Sequence, residues 1–385
     1  MKIAVNARFL LAGGLEGFGA YTHEIVRRMA VAHPEDEFLL LFDRPFDPQF
    51  VYGPNVTPLA LMPQARHPIL FRIWFEWSVV RALKRHGADV FFSPDSMCSL
   101  RSDTPTLMTC HDLWPLHFPE LIQRRHRAFL LRYLPLFIRR ADRIATVSEY
   151  VRQDLIRTCG TPPEKILAVH NGCRDGLSPL DERERAEARR EWAVGEAYFL
   201  FVGAIHPRKN VHRLIAAFDL FKSRTGSPVK LALAGRFAWQ TGEVKSAYEA
   251  ARHRDDIIFI GFVQPDAFRR LMGGALALLF PSLDEGFGLP IVEAMHTDTP
   301  VLTSNLSAMP EVAGDAALLV NPMDPTDIAA GLERLHGDPA LRAELIERGR
   351  KRREQFSWDA AAQQIYAALV ELREKRSAQT VIMSK

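Results

Sequence analysis

Glu285 and Glu293 stand eight residues apart in 282-SLDEGFGLPIVEAM-295, directly after the apolar run 275-ALALLFPS-282. Between them, Gly286 and Gly288 allow a tight turn and a close approach of backbone to a ligand. Pro290 suits the first turn of a helix, where its missing N–H costs nothing. The free amides of such a helix start make an anion site that fits a phosphate. A carboxylate accepts two hydrogen bonds at once, which matches the vicinal diol of a ribose. Taken singly, Glu293 also reads as a helix-dipole or capping acid, and Glu285 as a solvated loop acid.

Three other segments carry candidate chemistry. In 201-FVGAIHPRKNVHRLIAAF-218 a strand ends at Gly203, and Arg208 and Lys209 precede a helix. Fixed cations there suit a departing diphosphate, work that a metal ion does elsewhere. In 109-TCHDLWPLHFPE-120, His111 follows a strand and can hydrogen-bond a sugar hydroxyl or a reacting oxygen. Asp112 can orient it or bind an acceptor; a buried, backbone-satisfied histidine is the plainer alternative. In 11-LAGGLEGFGAYTHEIV-26, Gly14, Gly17 and Gly19 open a loop whose amides can cradle phosphate. Asp43, after the second strand, keeps an NAD-dependent dehydrogenase in view. The spacing, however, is G-x-x-G-x-G and not the dinucleotide fingerprint.

The elements that must position these residues are legible as short apolar runs alternating with amphipathic ones. Strands are expected at 2–8, 37–42, 88–94, 104–110, 143–149 and 165–172. A second set is expected at 197–203, 229–235, 256–262, 275–282, 300–305 and 316–321. Continuous rather than alternating apolar strands are covered on both faces, and strand–helix alternation gives parallel, doubly wound sheets. The charged run 181-DERERAEARREW-192 reads as a solvated helix between two such domains. Ser148 reads as a helix N-cap with Glu149 in the first turn. The expected organisation is an N-terminal domain over 1–178, a C-terminal domain over 195–357, and a last helix over 358–376. In open α/β sheets ligands bind outside the carboxyl ends of the strands, so the motifs fall where ligands go.

Composition narrows the class. A chain of 385 residues, 47% hydrophobic and 25% charged, suits two soluble domains. A net charge of +3, without stacking aromatics interleaved among cations, argues against nucleic acid. Cys98, Cys110, Cys159 and Cys173 form no C-x-x-C pair, and no His pair has ligand spacing on a helix. They read as reduced thiols in a cytoplasmic protein. No apolar run reaches the length needed to span a bilayer, and the N-terminus reads as a first strand.

The pattern E-G-F-G-L-P-x-x-E after an apolar strand, Glu285 to Glu293, resembles the signature of retaining glycosyltransferases of family 4. The resemblance extends to Arg208 and Lys209, to the His111–Asp112 pair, to 144-IATVSEYVRQDLI-156, 166-ILAVHNGC-173 and 302-LTSNLSAMPEVAGDAALLV-320. It spans nearly the whole chain. It implies the GT-B fold, two doubly wound Rossmann-like domains facing a central cleft, with the last helix crossing back to the first domain.

It also implies roles. Glu285 meets hydroxyls of the transferred sugar, and Glu293 binds the nucleotide ribose. The backbone of Gly286, Phe287, Gly288 and Leu289 faces sugar and diphosphate. Arg208 and Lys209 clamp the diphosphate in place of a metal. The strand end at Phe262 and Val263 holds the nucleobase. The Gly14 loop faces the donor phosphates, and His111 and Asp112 lie near the reacting sugar and the acceptor. Ser304 and Asn305 are weaker donor contacts. No cofactor or metal is expected beyond the nucleotide-sugar co-substrate. GDP-mannose is the first expected donor, because of the H-D-L segment and the likeness to bacterial surface-polysaccharide enzymes; UDP-sugars come next.

Alternatives are a sugar-nucleotide epimerase of the same architecture and a non-catalytic nucleotide-sugar binder. Segments 66–85 and 123–142 are basic and amphipathic, which would suit peripheral contact with the inner membrane surface and a lipid-linked acceptor. Packing on their own sheet is the competing reading, and Pro135 is expected to interrupt the second segment.

Overall fold

A computed structural model describes residues 1–13, 15, 17–193, 195–238 and 241–383. The apolar runs become two sheets in which every paired strand is parallel. The first contains β1 (Lys2–Asn6), β2 (Glu37–Phe42), β3 (Val56–Ala60), β4 (Val90–Ser93), β5 (Thr106–Cys110), β6 (Arg143–Thr146) and β7 (Ile166–Ala168), ordered β3-β2-β1-β4-β5-β6-β7. The second contains β8 (Tyr198–Val202), β9 (Lys230–Ala234), β10 (Ile257–Gly261), β11 (Ala277–Phe280), β12 (Val301–Ser304) and β13 (Ala317–Val320), ordered β10-β9-β8-β11-β12-β13. Strand order reverses between β1 and β4 in one sheet and between β8 and β11 in the other. Those are the switch points at which doubly wound sheets open a crevice for ligands.

The two sheets lie in two compact units. One is Met1–Asn171 with Ser357–Lys385, and the other is Gly172–Phe356. The first domain, expected to run to 178, therefore closes at Asn171. The physical reason is that 172–181 is fastened to the second unit. Arg174 pairs with Glu293, Leu180 packs beneath Gly273, and Arg269 grips Ser178, Pro179 and Glu184. The last helix, Trp358–Met383, is counted with the first unit. Tyr366 donates to Asp36 at 2.7 Å and stacks on His33 at 3.5 Å, and Arg28 bonds Asp359 at 2.7 Å.

Two local expectations are corrected. β3, which carries Pro58, is absent from the strands expected above. It sits at the sheet edge, pairing only with β2, where a missing amide donor is tolerated. Pro135 does not interrupt its segment: the helix runs Arg124–Arg140 with the proline inside. Buried Leu134, Phe137 and Ile138 anchor it on either side of the lost hydrogen bond. Ser148 caps the helix Glu149–Cys159 by accepting from the Val151 amide at 3.2 Å. All four cysteines are free thiols.

Candidate active site

In the second unit the loops that follow β8 and β11, the strands flanking the switch point, are sewn together. The Leu283 amide donates to the Arg208 carbonyl at 2.8 Å. Arg208 Nη1 donates to the Asp284 carbonyl at 2.5 Å. Asn210 is fully buried with φ 61°, and its amide nitrogen bonds the carbonyls of Pro281 at 3.0 Å and Pro322 at 2.7 Å. A left-handed residue before the helix Val211–Thr225 thus turns the chain so that Arg208 and Lys209 point at the other loop.

The result is an ion cluster. Arg208 Nη1 lies 2.9 Å from Glu285 Oε2, and Lys209 Nζ lies 2.5 Å from Glu285 Oε1. Lys209 Nζ also sits 4.7 Å from the centre of the Phe280 ring. Glu285 is only 7% exposed. Burial pushes its carboxyl upward, but Arg208 and Lys209 together outweigh that and bring it to about 2. Two cations thus converge on one carboxylate at the carboxyl edge of the sheet, an arrangement suited to an arriving anion. The Glu285 amide donates to Ser307 Oγ at 3.0 Å, with Ser307 held at φ 53°.

Glu293 lies in the helix Leu289–His296, with Gly288 at the N-cap at φ 101° and Pro290 in the first turn. It is 3% exposed, and Arg174 Nε holds its Oε1 at 2.5 Å. The Arg174 guanidinium also lies 4.2 Å from the centre of the Phe268 ring. Burial raises the Glu293 carboxyl above its usual value while Arg174 opposes the rise.

The other expected residues fall as follows. The Phe287 side chain is buried against Phe356, ring centres 5.5 Å apart, and Leu289 begins the helix. Phe262 is exposed and Val263 half-buried just past β10, at the sheet edge and two strands from β8. Gly14 lies outside the described residues. Ser304 turns inward, fully buried, and its Oγ accepts from the Leu306 amide at 3.0 Å, while the Asn305 amide bonds the Val320 carbonyl at 2.9 Å. Just beyond them, Ser307 Oγ and the Ala308 amide bond the backbone of Glu285. Asp43 is also taken up structurally: fully buried, it bonds Arg44 at 2.6 Å and the Ala65 amide at 2.9 Å. That removes the ribose-binding acid the dehydrogenase reading needed.

His111 stands in the first unit, past β5. Its Nε2 donates to the Pro94 carbonyl at 2.8 Å, the tautomer that a carbonyl partner requires. Phe18 and Tyr21 meet the ring edge-on at 4.8 and 4.7 Å. Burial drives its pKa down to about 4, so the ring is neutral near pH 7 with Nδ1 left as an acceptor. The Asp112 carbonyl accepts from Cys110 Sγ at 3.5 Å. At the switch point of this sheet lies a group that the sequence reading did not single out. Arg8 Nε donates to Asp95 Oδ2 at 2.8 Å, and Asn6 donates to the same oxygen at 2.9 Å. Arg8 also lies 4.6 Å from the centre of the Phe71 ring. Both sheets therefore carry their polar clusters at the carboxyl edge. Among the described residues no group of three His, Cys, Asp or Glu gathers as a metal set.

Comparison with known proteins agrees with this geometry. The family model described as "Glycosyl transferases group 1" matches residues 182–352, and "Glycosyltransferase Family 4" matches 16–175. The O-antigen chain mannosyltransferase B of Escherichia coli is 28% identical over 90% of this chain and 93% of its own length. A sucrose-phosphate synthase from Thermosynechococcus elongatus superposes with a TM-score of 0.77 at 19% identity, over 96% of this chain and 98% of that one. Anabaena HepE in complex with UDP-glucose gives 0.75 at 19% identity, over 96% and 100%. These structures share the fold. With both family models matched along most of its length, the chain belongs to the family-4-like glycosyltransferases of the GT-B fold.

Proposed function

We propose that this glycosyltransferase transfers mannose from GDP-mannose, with retention of anomeric configuration and without a metal ion, to a hydroxyl of a glycan or lipid-linked acceptor in surface-polysaccharide synthesis. The observation that carries the reading is the Arg208–Lys209–Glu285 cluster at the switch point between β8 and β11. The E. coli relative, an O-antigen chain mannosyltransferase, supports mannose and polysaccharide. The second unit takes the donor and the first takes the acceptor, with His111 and Asp112 on the acceptor side. Arriving diphosphate draws Arg208 and Lys209 and frees Glu285 to accept hydrogen bonds from sugar hydroxyls. Glu293 takes the ribose, the Phe287–Leu289 backbone the diphosphate, and Phe262 and Val263 the base.

With its oxygens then taken by the sugar's hydroxyls, Glu285 is a poor nucleophile, which favours front-face substitution over a covalent intermediate. The bond from the anomeric carbon to the phosphate oxygen breaks, and its electron pair leaves with the diphosphate. The acceptor oxygen bonds to the same face, and its proton passes to the departing phosphate oxygen. Arg208 and Lys209 stabilise the charge that develops there.

A thermal-melt series with GDP-mannose, UDP-glucose and UDP-GlcNAc tests the donor. At about 100 times its Kd a ligand adds roughly 2.7 kcal/mol. For a domain of this size that raises Tm by about 5–10 °C. GDP-mannose is expected to give the largest shift. A larger shift with a UDP-sugar reassigns the donor, and no shift with any of them removes the transferase assignment of this site.

The setting we propose is cytoplasmic with peripheral contact to an anionic membrane surface. No described helix is long and apolar enough to cross a membrane. Ile69, Leu70, Ile73 and Trp77 are exposed along the helical stretch Pro68–Val79, Trp77 at 51%. Arg101 lies 5.3 Å from the centre of the Trp77 ring, and Arg72 and Arg132 flank Tyr133. Apolar side chains ringed by cations match anionic lipid. The double variant Ile73→Ser with Trp77→Ser is expected to lower flotation with phosphatidylglycerol vesicles about tenfold or more, an effect of roughly 1.5 kcal/mol or more. Equal flotation of both proteins contradicts the contact.

A further inference from the structure

We infer that Arg174 is a positioning residue for the donor: it holds Glu293 as an oriented carboxylate so that the nucleotide's hydroxyls find a charged acceptor. The inference rests on the assignment of Glu293 to the ribose. Arg174 is the only partner of the Glu293 carboxylate in the described hydrogen bonds and ion pairs, through Oε1 alone. Oε2 receives no hydrogen bond among the described residues, and an ionised carboxylate has about four lone-pair sites. The Arg174 contact therefore leaves capacity for two hydroxyl donors.

Glu293 needs such a counter-ion. It sits at 3% exposure in a helix whose neighbouring strands, ALLF and VLTS, carry no charge. Charged groups on the other elements packed against that helix are committed elsewhere. Arg269 and Arg270 pair with Glu184 and Glu191, and Arg350 and Arg353 with Asp298. Glu311 and the Cys173 thiol add no positive charge, and burial lowers His296 toward the neutral form. An anionic diphosphate nearby would disfavour ionisation further. Arg174 is itself held in place. Its guanidinium rests on the Phe268 ring, and its backbone belongs to the segment fastened by Leu180 and Arg269. At 44% exposure its cost of burial is modest. Phe268 and Arg174 together explain why 172–181 follows the second unit.

The test is calorimetric binding of GDP and UDP between pH 6 and 9 to wild type, Arg174→Ala, Arg174→Lys and Glu293→Gln, each confirmed folded by melting. Without Arg174 the carboxyl protonates at higher pH, and below that point affinity falls by up to about tenfold per pH unit. Arg174→Ala is expected to bind nucleotide weakly at pH 6 and to approach wild type by pH 9. Arg174→Lys is expected to recover most of the loss, and Glu293→Gln to bind weakly at every pH. Tighter binding by Arg174→Ala, or an equal loss at all pH values, overturns the inference. Carboxyl ¹³C NMR of ligand-free protein, with Glu293→Gln identifying the resonance, separates the two readings. An unmoved Glu293 titration in Arg174→Ala refutes the role of Arg174 even if Glu293 binds ribose. Unchanged nucleotide affinity in Glu293→Gln refutes the ribose assignment itself, and the inference with it.

Discussion

Lys209→Ala is expected to lower kcat/KM for sugar transfer by about 10²–10³-fold, the range for removing one fixed donor from a developing negative charge. Lys209 Nζ is one of two cations on Glu285, beside the open edge of the switch point. Its loss leaves Arg208 to hold both the carboxylate and the departing diphosphate. Glu285→Ala is expected to cost as much or more in transfer. On the proposed mechanism it removes the acceptor of the sugar's hydroxyls, and it takes from Arg208 and Lys209 the carboxylate they share. The two variants part company in stability. Glu285 is held near 2 in the folded chain against 4.5 for a free side chain. It thus contributes stability above pH 4.5 that is lost as the pH falls through about 2. That shift corresponds to roughly 3 kcal/mol. Glu285→Ala should therefore melt below wild type at pH 7, and the gap should narrow toward pH 2. Steady-state transfer with saturating donor, together with melts across that range, reads both effects. Undiminished transfer by both variants would remove the cluster from the mechanism.

The doubly wound architecture could be read from sequence because it depends on composition: VKLALAG or ALALLFPS must be covered on both faces wherever it lies. The features that escaped depend on position in the sheet. VTPLA contains a proline, and whether that forbids a strand turns on whether the strand is an edge, which no local window records. Pro135 is tolerated because residues on both sides of it are buried in the first unit. The same contrast holds at the site. Arg208, Lys209 and Glu285 could be singled out because charged residue types at strand ends stand out, and the structure brings the three together. Arg174 and Ser307 could not be, because their significance is a distance to a residue 119 or 22 positions away. An exposed-looking arginine after N-G-C carries no sign of a buried carboxylate waiting for it. Asp43 shows the converse: the residue type fits ribose binding, yet its partners Arg44 and Ala65 consume it.

Gly235→Ala is expected to destabilise the second unit by about 3–5 kcal/mol, combining overpacking with a backbone conformation that resists a side chain. Gly235 follows β9 at φ 153°, and Gly203 follows β8. A Cβ on Gly235 would stand 1.9 Å from the Gly203 carbonyl oxygen and 2.6 Å from its carbon. Those are backbone atoms, so no rotamer change relieves the clash. The Gly203 amide is itself bonded to the Ala234 carbonyl at 2.9 Å, and the Gly235 amide to Gly261 at 2.8 Å. Relief must come from moving the loop after β8, the loop that carries Arg208 and Lys209. Gly226→Ala is the control: φ is 60° there and nothing lies within 4 Å of the added carbon, so only the conformational cost of about 1 kcal/mol remains. Two units need not unfold together, so hydrogen exchange of peptides covering 198–235 is the fitting measurement. Faster exchange there in Gly235→Ala than in Gly226→Ala, with weaker nucleotide binding, would show that stability and donor binding share one backbone crossing. Equal exchange in the two variants would mean that the loop after β8 can yield by the missing ångström without disturbing what it carries.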